Sequence, residues 1–426
     1  MSTPTSLPEA YESPSTYLDS PKFHQTLTFT PTCLPDEASS PALTVSYALC
    51  GSTDPSAPVL LWINGLGHHR LACCLFDELF KRNGIRLLSL ERPSSGLSSR
   101  IQPDRFQYSH RVRVVFESIL KVLEKEGIKE FSLLSHSNGI IYSLYLLLNL
   151  PSSTSTYSCK NWFLTSPWIP PEISGNLPLT VASWLPNSLT SKLGSLVQGF
   201  ESLVGGPFGL SYGLAREWIG WSTGYISSSS SLSIGPNEEP NRTTRTPREE
   251  IVSFETLQSL KPLEERTFGG RFYPPGMLEK GMKFAIRESE NGLEGMGIEA
   301  VMSLNHGTRS SSSSSSSSDV DWGWFQPKDD KEEEEVKGEV YYEKGFENLK
   351  RKIELDRELE LNLRVWCAGQ DGMIPKKGRE WFRKLMVDRL ELVREENWSE
   401  IKKAGHDEIL GLEIVINEIL TTVKRA

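Results

Sequence analysis

Three residues far apart in the chain, Ser137, Asp371 and His406, are of the types that build a nucleophilic relay. A serine hydroxyl attacks a carbonyl only if a base takes its proton. Imidazole serves as that base when a carboxylate fixes its tautomer and balances its charge. Each of the three follows a run that reads as a strand and sits in a turn: Ser137 in Ser135-His136-Ser137-Asn138-Gly139, Asp371 in Gly369-Gln370-Asp371-Gly372, His406 in Ala404-Gly405-His406-Asp407. Taken alone, Asp371 reads equally well as a turn carboxylate and His406 as a helix cap. Taken together, in the order Ser, Asp, His, they read as one set.

The serine has the right local frame. Phe131 to Leu134 is a short apolar run that reads as a buried strand, and a helical apolar run starts at Ile140. A serine flanked two positions away by small residues, here Ser135 and Gly139, is how a nucleophile elbow looks in sequence. Bulkier neighbours would collide with the adjoining strand and helix, and Ser135 stands where glycine is usual. The competing reading is a plain strand–turn–helix joint whose serines cap the helix.

An acyl-transfer intermediate also needs two preset N–H donors for its oxyanion. Asn138, next to the nucleophile, is expected to supply one. The other is expected from Asn64-Gly65-Leu66-Gly67, after the apolar run Val59 to Ile63, with Leu66 the first choice and Gly67 the next. Gly65 and Gly67 let the backbone approach a ligand, and with His136 they are expected to line the substrate site. A ligand-free glycine turn is the alternative for this loop.

These residues need elements to hold them. Gln25 to Thr30 and Leu43 to Cys50 read as an antiparallel pair of strands. Val59 to Ile63, Ile85 to Leu90, the run before Ser135, Trp162 to Thr165, Leu363 to Ala368 and a weaker stretch from Trp398 to Lys402 read as further strands. Between them lie helical patterns: Leu71 to Lys81, the run carrying Val112, Val115, Phe116, Ile119, Leu120 and Leu123, Arg379 to Val387, and Ile409 to Val423. Short apolar strands alternating with amphipathic helices imply right-handed crossovers and a mostly parallel sheet with helices on both faces. Sites are then expected at the carboxyl edge of the strands.

The rhythm is lost after Ser166-Pro167-Trp168. Residues 1–22 are expected to be poorly ordered, 23–168 to form the first part of an α/β core, 169–345 an insert, and 346–426 the second part of the core. Within the insert, Ala182 to Val204 and Leu293 to Leu304 read as helices, while 227–248 and 309–335 are low-complexity loops. Trp168, Trp184, Trp218, Trp221, Trp322 and Trp324 lie in or beside the insert and could build a small core or roof a cavity.

A chain of 426 residues with net charge −9 and no basic face argues against a nucleic-acid partner. The six cysteines fall in or beside apolar runs without metal-ligand spacing and read as buried thiols. No secretory pattern opens the sequence, and the longest apolar run, Ile140 to Leu150, is well short of the ~20 residues that span a bilayer. A cytoplasmic chain without a transmembrane segment is the expectation. No cofactor and no metal are expected: His68 and His69 lack further ligands at suitable spacing and read as pocket lining or a helix start.

The assembled pieces resemble the α/β-hydrolase superfamily. The resemblance rests on Asn64-Gly65-Leu66-Gly67, Glu91-Arg92-Pro93-Ser94-Ser95-Gly96-Leu97-Ser98, Ser135-His136-Ser137-Asn138-Gly139, Gly369-Gln370-Asp371 and Gly405-His406-Asp407. It covers residues 24–168 and 346–426, and it implies an eight-stranded sheet with a mainly helical cap inserted after the sixth strand. The insert resembles the long, variable lids of fungal members. The departures are Asn64 where the family often has histidine and Ser135 where it has glycine.

A serine at the elbow, where related epoxide and haloalkane hydrolases hold aspartate, implies acyl transfer to water. The expected substrate is a carboxylic ester, thioester or lactone of a hydrophobic small molecule. The other readings are an acyltransferase or cyclase in a biosynthetic pathway, and a binding protein that uses the same pocket without turnover.

Overall fold

Alternation decides where each strand side chain goes. In β3, Val59–Ile63, the side chains of Val59, Leu61 and Ile63 enter one apolar cluster, and those of Leu60 and Trp62 enter another on the opposite face. This is the two-residue period of a strand buried on both sides. The structure is a computed structural model that describes residues 14–33, 42–67, 69–101, 108–150, 157–184, 259–268, 277, 281, 294–304, 338–356 and 360–426.

The strands are β1 (Gln25–Phe29), β2 (Leu43–Gly51), β3, β4 (Arg86–Leu90), β5 (Glu130–His136), β6 (Ser158–Thr165), β7 (Asn362–Ala368) and β8 (Trp398–Ile401). They form one eight-stranded sheet in the order β1-β2-β4-β3-β5-β6-β7-β8. β1 and β4 both pair antiparallel with β2, and the pairs from β4 to β8 are parallel. Ile63 pairs with Ser135, His136 with Thr165, Thr165 with Trp366, and Ala368 with Ile401, so the strands from β3 to β8 finish along one edge.

Helices cover both faces. One apolar cluster takes α2 (Tyr108–Lys125), α3 (Gly139–Asn149), α5 (Gly338–Leu355) and α6 (Lys376–Arg383), through Val115, Ile119, Leu144, Phe346 and Phe382. The other takes α1 (Asp77–Arg82) and α7 (Glu413–Arg425), through Leu79, Phe80, Ile416 and Ile419. The long connection between β6 and β7 carries α4 (Glu294–Ser303) and α5. This is the eight-stranded arrangement, interrupted after its sixth strand, that the resemblance implies; the chain has the α/β-hydrolase fold.

Four expectations need correction. Residues 14–22 are not loose: Pro14–Leu18 is a helical turn, and Tyr17 and Leu18 are buried with Phe23. They cover apolar surface left open beside α1, and the Tyr17 hydroxyl donates to Asp77. The helix read over 71–81 is two pieces, a 3-10 turn Arg70–Leu75 and then α1, because the chain bends at Phe76 so that buried Asp77 can accept the Gly51 N–H at 2.6 Å. The helix expected to begin at Ile409 opens as a tight turn, Glu408–Gly411, before α7. The core also resumes before residue 346, since α5 starts at Gly338 and Tyr342 is already buried in it.

Of the helix expected over 182–204, only residues through 184 are described, with Trp184 exposed. Both low-complexity segments, His68, Trp218, Trp221, Trp322 and Trp324 lie outside the described residues. The six cysteines are free thiols, five of them buried. Among the described residues no helix is long and apolar enough to cross a membrane.

Candidate active site

The turn between β5 and α3 has the geometry its residue types imply. Ser137 has φ of 50°, in the left-handed region that a non-glycine residue occupies at a cost on the order of 1 kcal/mol. The surroundings hold it there: its N–H donates to Thr165 O and its carbonyl accepts from Trp168 N–H, both at 3.1 Å. Gly139 cannot be larger, because a Cβ there would lie 2.2 Å from the Ile63 carbonyl oxygen. Ser135 fits in place of glycine because its hydroxyl is used: it accepts from the Trp162 indole N–H at 2.8 Å and pairs with the Ser143 hydroxyl.

Three strand spacings, about 14 Å, separate β5 from β8, so His406 reaches the elbow only because its loop crosses back over the sheet edge. The crossing is fixed by the Ser166 hydroxyl, which donates to the His406 carbonyl at 3.0 Å. Ser166 follows Thr165, the residue that holds the Ser137 N–H. The imidazole Nδ1 meets Asp371 Oδ2 at 2.6 Å, and both side chains are buried. Asp371 is locked in turn, its Oδ1 accepting the N–H groups of Met373 and Ile374 at 2.9 and 2.8 Å. The His406 ring lies 5.1 Å from the ring of His136, the residue before Ser137. Among the described residues the Ser137 hydroxyl makes no hydrogen bond; hydrogen bonds of a catalytic set often close only around a substrate.

The loop after β3 lies against the first turn of α3. Ile140 and Ile141 N–H donate to the carbonyls of Ser137 and Asn138, both at 3.2 Å, while the Asn138 and Leu66 N–H groups have no acceptor among the described residues. Arg92 pins the loop from behind, donating from Nη1 to Asn64 O at 2.7 Å and from Nη2 to Gly65 O at 2.5 Å. Gly67 has φ of 74°, and a Cβ on it would lie 2.8 Å from the sulfur of Met296 in α4.

His136 needs reassignment. It was expected to line the substrate site, but its side chain is fully enclosed. Its Nε2 bonds Asp407 Oδ1 at 2.8 Å and its Nδ1 faces Thr165 Oγ1 at 3.2 Å. Burial holds its pKa below the usual 6.5, outweighing the pull of Asp407. The ring therefore ties the elbow to the His406 loop instead of facing a ligand. His69 starts the turn after β3, its Nδ1 accepting the Leu71 N–H, and its Nε2 lies 2.5 Å from Glu91. His136, His406 and Asp407 bring potential metal ligands within 4.8 Å of one another. Two of those three groups already bond each other, which is a poor start for a cation site.

Sequence reasoning missed two residues. Asp407 was named only as the neighbour of His406. Glu299, in α4, is buried and lies 2.5 Å from Arg92 and 2.9 Å from Arg111. Its signal was a single carboxylate in the apolar run Ile298-Glu299-Ala300-Val301-Met302, where a solvated face would carry more charges.

No family model and no curated protein matches the chain. Among solved structures, a carboxylesterase from the thaumarchaeon Nitrososphaera gargenis is 9% identical, with 94% of this chain and 99% of that chain covered and a TM-score of 0.45. An epoxide hydrolase from Vigna radiata is 12% identical over 95% and 98%, with a TM-score of 0.46. An alpha/beta hydrolase from a Medee basin deep-sea metagenome is 12% identical over 89% and 93%, with a TM-score of 0.43. Likeness at this level carries nothing about substrate or reaction.

Proposed function

We propose that this chain is a serine hydrolase that cleaves a carboxylic ester, thioester or lactone of a hydrophobic small molecule. The observation that supports the proposal is the buried His406–Asp371 pair at 2.6 Å, whose imidazole lies 5.1 Å from the ring of His136, the residue before Ser137. In this reading Ser137 Oγ attacks the carbonyl carbon and its proton passes to His406 Nε2. Asp371 keeps the proton on Nδ1 and stabilises the imidazolium. The oxyanion collects the N–H groups of Asn138 and Leu66. The alcohol leaves with the proton from His406, and a water deprotonated by the same ring releases the acid and restores Ser137. Met296, beside Gly67 of the loop after β3, supports an apolar substrate.

The test is labelling of the purified chain by a fluorophosphonate, together with turnover of p-nitrophenyl esters of graded chain length. Labelling and turnover are expected in the parent chain and absent in Ser137→Ala. Equal labelling of both proteins, or a parent chain inert to probe and esters alike, would remove the proposal.

A further inference from the structure

A buried carboxylate in the insert is wired to the loop that is to hold the oxyanion. Glu299 sits mid-way along α4, and its Oε1 receives Arg92 Nε at 2.5 Å and Arg111 Nη2 at 2.9 Å. Arg111 also donates to Pro93 O at 2.7 Å, and the Arg92 guanidinium lies 5.1 Å from the centre of the Tyr142 ring. The carboxyl stays ionised: burial pushes it up, but the two guanidinium groups outweigh burial and hold it below the ordinary value. α4 is fixed at both ends. Gly295 N–H donates to Ser94 O at 3.1 Å, and the Trp168 indole N–H donates to Ser303 O at 3.2 Å. A Cβ on Gly295 would lie 2.5 Å from Ser94 O, so the helix is seated directly on the loop after β4.

The two free arms of Arg92 complete the connection. In a trans peptide the C=O and N–H point in opposite directions. Arg92 holds the carbonyls of Asn64 and Gly65 toward itself, so the next N–H groups, those of Gly65 and Leu66, must point away from it. A guanidinium can hold one carboxylate and two carbonyls at once because its donors form a rigid planar fork.

We propose that Glu299 is a positioning residue for the oxyanion hole: the insert helix holds Arg92, and Arg92 aims the Leu66 N–H. The proposal rests on the hydrolase reading above, in which Leu66 is an oxyanion donor. It makes α4 part of the catalytic assembly and not only a roof over it. Because an oxyanion donor acts on the transition state, its loss appears in kcat and not in KM.

The full-length chain carries the test, with Glu299→Gln, which keeps shape and a hydrogen bond but loses the charge, and Arg92→Lys, which keeps the ion pair but cannot reach both carbonyls. Fluorophosphonate labelling rates and kcat on a p-nitrophenyl ester are expected to fall about 10- to 100-fold in both variants. KM is expected to stay within about twofold, and the shape of the pH–rate profile to stay unchanged because His406 is untouched. Thermal unfolding reports whether each variant is folded, and either folded variant decides the matter. A folded variant that labels and turns over at the parent rate, or loses only in KM, overturns the assignment while leaving the hydrolase reading intact. An unreactive parent chain removes the hydrolase reading, and this assignment falls with it.

Discussion

Asp371 uses both oxygens in full, one on the Met373 and Ile374 N–H groups and the other on His406 Nδ1. An amide in its place must turn an N–H toward one of these donors. Either the turn at 373–374 loses its acceptor or the imidazole loses the partner that sets its tautomer. Asp371→Asn is therefore expected to lower kcat on p-nitrophenyl esters by roughly 10²–10⁴ in a chain that still folds, which thermal unfolding checks. His406→Ala is expected to lose at least as much. A folded Asp371→Asn chain with parental kcat would show that the pair does not serve the chemistry. Asp371 and His406 were legible in the sequence because each combines a reactive type with a turn that a strand's end demands. Glu299 was not, because its partner Arg92 lies 207 positions away, and nothing local marks which buried charge will meet which.

Strands were easier to read than helices, for a physical reason. A five-residue apolar run such as Val59–Ile63 leaves a buried strand little freedom in where to begin or end, and the observed bounds are the expected ones. The helical period over 71–81 said only which side chains go inward. It could not show that the Arg70 guanidinium would be buried against the Phe23 carbonyl, or that Asp77 would be needed by Gly51. Ser135 is the instructive departure at this scale. Glycine, the residue the resemblance expects, would relieve crowding but strand the Trp162 indole N–H inside the sheet–helix joint, while the Ser143 hydroxyl keeps the Gly139 carbonyl as its acceptor at 2.9 Å. Ser135→Gly is thus expected to destabilise the chain by about 1–3 kcal/mol, the cost of an unsatisfied buried polar group, with added backbone freedom in the same direction. Urea unfolding measures it. A variant as stable as the parent would mean that the hydroxyl only fills space.

Across the whole molecule, four segments distant in sequence meet around Glu91. Its Oε1 takes Arg70 Nη1 at 2.8 Å and lies 2.5 Å from His69 Nε2, and its Oε2 accepts from the Ser46 hydroxyl and, at 3.0 Å, from the Leu97 N–H. Arg70 in turn donates to Phe23 O and faces His24 Nδ1, so one carboxylate joins the N-terminal segment, β2, the turn after β3 and the loop after β4. Burial pushes Glu91 up, but His69, Arg70 and Ser46 together overcome burial and hold its carboxyl at about 2, against an ordinary 4.5. The sign follows from proton counting. Between those two values the unfolded chain binds a proton that the folded chain refuses, so stability is fully present above about pH 4.5 and drains away as the pH falls toward 2. The depression corresponds to roughly 3 kcal/mol. Glu91→Gln keeps the shape and removes the charge, so it forfeits that contribution at neutral pH and has none left to lose in acid. The gap between parent and variant in urea unfolding is expected to be widest above pH 5 and to close as the pH approaches 2. A gap that stays constant over that range would mean that the ionised carboxyl is not what joins the four segments.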